Sequence, residues 1–249
     1  MAGSRTYRSR CIVLDKTKLK ETDLILTLLA EDGRQIRAVA KGARKPGSRL
    51  AARSEVCSTV DLLLARGRAL DVVSQAELLA APLGAAPTFE LLSAASAVVE
   101  VAALGCFEDA PDPFVFPVTE RALAVIGETG EGPALDVIVA AYIFKLLSHI
   151  GYRPDLDSCV ACGDGDVTYF SAAAGGLLCG SCAASVAGAE EIDANEARWL
   201  AALLGLRFDE LAAAPIDART ATMLLALAHV WAATHLDARL RALEFLLGH

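Results

Sequence analysis

The chain has 249 residues, is 54% apolar and 22% charged, and carries a formal net charge of −8. It is long enough for one large domain or two smaller ones with a real core. No apolar run reaches the roughly 18–20 residues of a membrane span, LDVIVAAYIFKLL is interrupted by Asp136 and Lys145, and CIVL after the basic start MAGSRTYRSR is too short for a signal sequence, so a soluble cytosolic protein is expected.

Charge divides the chain. Residues 1–80 hold 15 Lys and Arg against 9 Asp and Glu; the remainder holds 8 against 22. A basic first module and an acidic second one suggest different tasks, the first being a candidate for polyanion binding.

The first module reads as five strands at Tyr7–Leu14, Leu24–Ala30, Arg34–Lys41, Thr59–Ala65 and Leu70–Leu78. EDGR (Glu31–Arg34) is a hairpin turn signal. Five short strands with a long link, Gly42–Ser58, between the third and fourth match a small OB-type barrel. In the third strand Ile36, Ala38 and Ala40 share one face, and Gln35, Arg37, Val39 and Lys41 share the other.

From APLGAAP (Ala81–Pro87) onward the period changes to helix. Phe89–Ala103 is amphipathic, and Gly132–Gly151 forms a second helix that Gly151 and Pro154 stop. Asp193 with Glu196 three residues on forms a capping-box pattern. Two further helices are expected to open at Asp217 and Asp237. The fold class is therefore α+β: a five-stranded OB-fold barrel at 1–81, then a helical bundle at 82–249. The bundle is interrupted by a four-cysteine zinc-binding insert at about 157–184.

Cys159-x2-Cys162 and Cys179-x2-Cys182 are sixteen residues apart, within the spacing of paired-cysteine zinc sites. Two intervening residues let both thiolates of a pair reach one ion at about 2.3 Å. Gly163 and Gly180 suit tight, left-handed loops. Four thiolates fill a tetrahedral ion and leave no position for water, so one structural Zn2+ per chain is expected. Cys11, Cys57 and Cys106 lie in apolar strand or helix contexts and read as buried thiols.

Basic residues gather where OB barrels bind strands. Lys16, Lys18 and Lys20 fall in the first strand connection, and Arg66 and Arg68 between the last two strands. Arg37 and Lys41 lie on the sheet; Arg44, Lys45, Arg49 and Arg53 lie in the long link, which Gly42, Pro46 and Gly47 keep irregular. Tyr7 is the single aromatic residue of 1–80, too few for a stacking platform. Backbone binding with weak sequence preference and steep salt dependence is expected. Phosphate-loop, dinucleotide, nucleophile-elbow and HExxH motifs are absent from the sequence, so no enzyme is indicated.

EDGRQIRAVAKGARKPGSRL, RGRALDVVSQAEL and AYIFKLLSHIGYRPDLDSCVACG together resemble the bacterial DNA repair and recombination mediator family RecO, over nearly the whole chain. AARSEVCSTVDL is more polar than the corresponding family segment. The resemblance implies binding of single- and double-stranded DNA and annealing of complementary strands. It implies partnership with RecR, and assistance in loading RecA onto DNA coated by single-strand binding protein. It further implies recognition of that protein's acidic C-terminal tail by the helical domain, no membrane partner, and a cytoplasmic, nucleoid-associated location. Arg37, Lys41, Arg44 and Arg49 match the family's DNA-contacting barrel; the four paired cysteines match its zinc ligands. Arg121, Lys145, Arg198 and Arg207 are the basic candidates for the tail. A zinc-ribbon scaffold without annealing activity is the alternative; a metal-dependent hydrolase is disfavoured by the filled cysteine set.

Overall fold

The computed structural model describes residues 6–248, so residues 1–5 of the basic start lie outside the described chain. In order come β1 (Thr6–Lys18), β2 (Leu24–Ala30), β3 (Gln35–Ala40), α1 (Arg49–Arg53), β4 (Thr59–Ala65), β5 (Asp71–Ala80), α2 (Phe89–Gly105) and α3 (Val115–Thr129). There follow α4 (Pro133–His149), β6 (Tyr169–Ser171), β7 (Gly176–Leu178), α5 (Gly180–Ala183) and β8 (Glu190–Glu191). The chain ends with α6 (Ala194–Gly205), α7 (Phe208–Ala213), α8 (Ala218–Leu236) and α9 (Arg241–Leu246). It divides into two compact units between Glu128 and Thr129.

In the first unit, β1 to β5 close into a barrel in the order β1-β2-β3-β5-β4. This is the OB-type arrangement. Period-2 alternation sends Leu24, Leu26, Leu28, Ile36, Ala38, Ala40, Val60, Leu62 and Leu64 into one buried cluster. Neighbours are antiparallel except β3 and β5, which run parallel with Ala38 opposite Asp71 and Val39 opposite Val72.

Several sequence expectations need correction. β1 does not stop at Leu14. A bulge between Val13 and Asp15 shifts the register, and pairing with β2 continues to Lys18 opposite Leu24. Cys11 to Leu14 are all buried, and α2 packs against β1 and β2, so the strand has two apolar faces there. The long link holds a helix, α1, whose Ser48 cap accepts from the Ala51 N–H at 3.5 Å. Cys57 lies in a turn of this link at φ 69°, not in a strand.

The β2–β3 turn is clamped from outside the barrel. Gly33 adopts φ +85°, and a Cβ there would stand 1.8 Å from the Asp112 carbonyl oxygen. Next to it the Gln35 side chain donates to the Ala103 carbonyl at 2.9 Å, and the Gln35 N–H donates to that of Phe107 at 3.0 Å. The α3 helix, unforeseen because Pro117 stands inside it, tolerates that proline in its first turn. Glu120 of α3 accepts from Arg10 of β1 at 2.6 Å.

In the second unit, α4 is apolar nearly all round and buried accordingly, in contact with α6, α7 and α8. The Asp193–Glu196 capping box forms as expected, and Asp217 caps α8 through the Thr220 N–H at 3.0 Å. Asp237 does not open a helix. It ends α8 in the left-handed region at φ 46°, and α9 starts after Leu240. Phe144 of α4, Trp231 of α8 and Phe170 of β6 form an aromatic cluster with ring centroids 5.5–6.1 Å apart. Phe170 thereby fastens the cysteine segment to the helices.

Candidate metal centre and nucleic-acid interface

The four paired cysteines converge. The Sγ atoms of Cys159, Cys162, Cys179 and Cys182 all lie within 4.8 Å of one another. Each pair is shaped by its own local structure. Gly163, at φ +78°, closes the first turn, its N–H donating to the Cys159 carbonyl at 2.8 Å. Cys179 leaves β7 as the N-terminal cap of α5, and Cys182 lies within that helical turn. Gly180 is helical, so the left-handed loop expected at that position is absent.

The donor chemistry fits a divalent ion. Thiolates bound at about 2.3 Å to one tetrahedral ion stand about 3.8 Å apart, and Cys162 and Cys179 are 3.7 Å apart. The N–H groups of Cys179, Ala161 and Cys162 hold the Cys159 thiol down at about 6. Cys182, hemmed in by the sulfurs of Cys179, Cys162 and Cys159, is pushed up to about 12. Four neighbouring thiols cannot all ionise alone, and a cation relieves that repulsion. Cys159, Leu178, Cys179 and Ala183 form a small buried cluster, flanked by Val160, Val167 and Tyr169. Phe170 is not part of it. The remaining cysteines are buried; burial pushes Cys11 and Cys57 up to about 12 and raises Cys106.

Strand pairing gathers most of the basic candidates. Lys18 pairs with Leu24, which pairs with Ala40, so the Lys18 and Lys41 ends of β1 and β3 flank the start of β2. The Arg44 guanidinium then donates to the Lys20 and Glu21 carbonyls at 3.1 and 2.9 Å, tying the link to the β1–β2 loop. Asp23, which the sequence did not single out, accepts from the Gly42 N–H at 2.8 Å. Arg37 points outward from β3. The parallel β3–β5 contact sets Asp71 opposite Ala38, so the turn carrying Arg66 and Arg68 enters β5 on the Arg37 side of that pair.

The candidates differ in their freedom. Lys18, Lys20, Arg37, Lys41, Lys45, Arg49, Arg66 and Arg68 are exposed, and no described acid forms an ion pair with them. Lys16 and Lys18 lie on β1 rather than in the connection, and Lys16 is paired with Glu55 at 2.5 Å. Arg53 donates to the Ala76 carbonyl at 3.1 Å. Each basic candidate outside the barrel already has a partner. Arg121 pairs with Glu128, Lys145 donates to the Leu204 carbonyl at 3.0 Å, Arg198 to that of Ala194, and Arg207 pairs with Glu210.

Comparison with known proteins agrees with this architecture. The model "Recombination protein O N terminal" matches residues 1–82, and "Recombination protein O C terminal" matches residues 86–244. The chain belongs to the RecO family. It is 42% identical over 175 residues to the DNA repair protein RecO of Bifidobacterium animalis subsp. lactis, covering 70% of this chain and 72% of that one. It is 36% identical over 244 residues to the DNA repair protein RecO of Frankia casuarinae, covering 96% and 98%. The RecO of Cutibacterium acnes is 39% identical over 184 residues, covering 71% and 74%. Among the described residues, no helix is long and apolar enough to cross a membrane.

Proposed function

We propose that this chain is a non-enzymatic DNA repair and recombination mediator. It binds single- and double-stranded DNA, anneals complementary strands and, with RecR, helps load RecA onto DNA coated by single-strand binding protein. The observation that carries this reading is the convergence of exposed cations that form no ion pair with a described acid at one end of β1–β3: Lys18, Lys20, Lys41 and Lys45, with Arg37 on the adjacent face. Residues 1–81 act as the nucleic-acid-binding domain. Residues 82–249 form the helical domain, where the tail of single-strand binding protein docks. The work is done in the cytoplasm, at the nucleoid.

The physical logic of annealing follows from which groups are held. Lysines on flexible stems neutralise phosphates as point charges and release counterions. They do not occupy base edges. Two strands held by their backbones lose mutual repulsion yet keep their pairing faces open.

Cys159, Cys162, Cys179 and Cys182 hold one Zn2+, which supplies cross-linking and no open coordination position. Its binding free energy serves local folding of the cysteine segment.

The decisive experiment is annealing of two complementary labelled oligonucleotides over a salt series. Acceleration that fades as salt rises is expected. No acceleration at any salt would remove the mediator reading and leave a protein-interaction scaffold.

A further inference from the structure

We propose that Arg66, backed by Tyr7, is a stacking site for one nucleobase at the edge of the DNA surface. This rests on the DNA-binding reading of the barrel but assigns Arg66 a role other than phosphate neutralisation.

The Arg66 guanidinium lies over the Tyr7 ring, 4.9 Å from its centroid. Tyr7 is itself fixed, because its hydroxyl donates to the Asp71 carboxylate. The same carboxylate accepts from the Gly67 N–H at 3.0 Å, the residue after Arg66. The turn is tight enough that a Cβ on Gly67 would stand 1.8 Å from the Leu70 carbonyl oxygen. Tyr7, Asp71 and Gly67 thus preset the guanidinium before any ligand arrives, which reduces the entropy lost on binding.

Arg66 remains exposed, with no described acid paired to it. A guanidinium resting on a ring through one side offers its other planar side, and flat guanidinium groups stack on bases as aromatic rings do. Arg68, two residues on, makes no such ring contact among the described residues and stays a phosphate contact. The parallel β3–β5 pairing sets Asp71 opposite Ala38, next to the outward-facing Arg37, where the backbone of a bound strand is held. Tyr7 is the one aromatic residue in 1–80, so the barrel grips one base and tracks the rest of the strand by its backbone. Stacking is sequence-tolerant because every base has a π-face.

The test compares binding of a labelled thymidine oligonucleotide with an abasic strand of the same length, at one salt concentration. The native chain should prefer the thymidine strand by about fivefold or more. Arg66→Lys, which keeps the charge but not the plane, should erase that preference. Arg68→Lys should preserve the preference. Equal affinity of the native chain for both strands, or a preference surviving Arg66→Lys, overturns the stacking site while leaving backbone binding intact. Failure to bind either strand removes the DNA reading of the barrel and the stacking site with it.

Discussion

The guanidinium of Arg44 donates to the backbone carbonyl of Lys20, 3.1 Å away. A residue whose sequence context suggests a phosphate contact is thus also a strut between the two loops that carry the basic surface. Its neighbour Lys45 is exposed and forms no ion pair with a described residue.

The two should therefore part company on mutation. Arg44→Ala loses two exposed hydrogen bonds, together worth about 1 kcal/mol, and should lower Tm by about 2–4 °C as well as weakening DNA binding. Lys45→Ala should weaken DNA binding and flatten its salt dependence by about one counterion, with Tm unchanged. Thermal melts beside a salt titration of DNA affinity read both effects. Identical behaviour of the two variants would show that the Arg44 strut carries no weight.

The β2–β3 turn offers a second contrast. Gly33 and Gly47 both have positive φ, but only Gly33 faces another backbone, that of Asp112; nothing stands within 4 Å at Gly47. Gly47→Ala should cost about 1–2 kcal/mol from the left-handed backbone alone. Gly33→Ala adds a steric clash with main chain, which cannot rotate away, and should cost well over 2 kcal/mol or prevent folding. Urea unfolding of both variants measures the difference, and equal losses would mean that the Asp112 loop yields.

These cases show what the sequence could and could not convey. The barrel was legible because alternation is local: Leu24, Leu26 and Leu28 declare their inward face within one strand. The cysteine centre was legible because two ligands of each pair lie three positions apart. The extension of β1 to Lys18 was hidden by a bulge at Leu14 that breaks the alternation. The α3 helix was hidden by Pro117, whose harmlessness in a first turn depends on where the helix begins. The contacts of Arg10 with Glu120 and of Phe170 with Trp231 join residues far apart in sequence, where no periodicity connects them. Arg44 and Lys45 look equivalent as letters and differ only once the β1–β2 loop is in place.

His235 should make stability depend on pH. Its ring stacks on Tyr152 at 4.8 Å and lies 4.2 Å from Trp231, and its Nε2 finds no hydrogen-bond partner among the described residues. Burial lowers its pKa from the ordinary 6.5. The unfolded chain therefore takes up a proton where the folded chain resists it. The contribution to stability is complete above pH 6.5 and declines as pH falls through the interval below it. His235→Phe keeps the stack and cannot titrate. Denaturant unfolding at pH 7.5 and 5.5 should show a smaller acid loss for the variant than for the native chain; equal losses would place the pH dependence elsewhere.

Removing the metal should be felt in the helices before it is felt in the barrel. The cysteine segment has a small apolar cluster of its own, and its link to the helices is Phe170 against Phe144 and Trp231. Without an ion to neutralise four crowded thiolates, the segment should loosen and expose Trp231, which is 1% accessible in the intact fold. In a Trp199→Phe background, chelation or Cys179→Ala should shift tryptophan emission to the red and open residues 157–184 to protease. Oligonucleotide affinity of the β1–β3 surface should change by less than about twofold, since a structural ion contributes local folding energy rather than phosphate contacts. Retention of protease resistance and blue emission by metal-free protein would show that the segment folds on its own apolar contacts. Loss of DNA affinity in parallel with the metal would place the cysteine segment in the DNA surface itself.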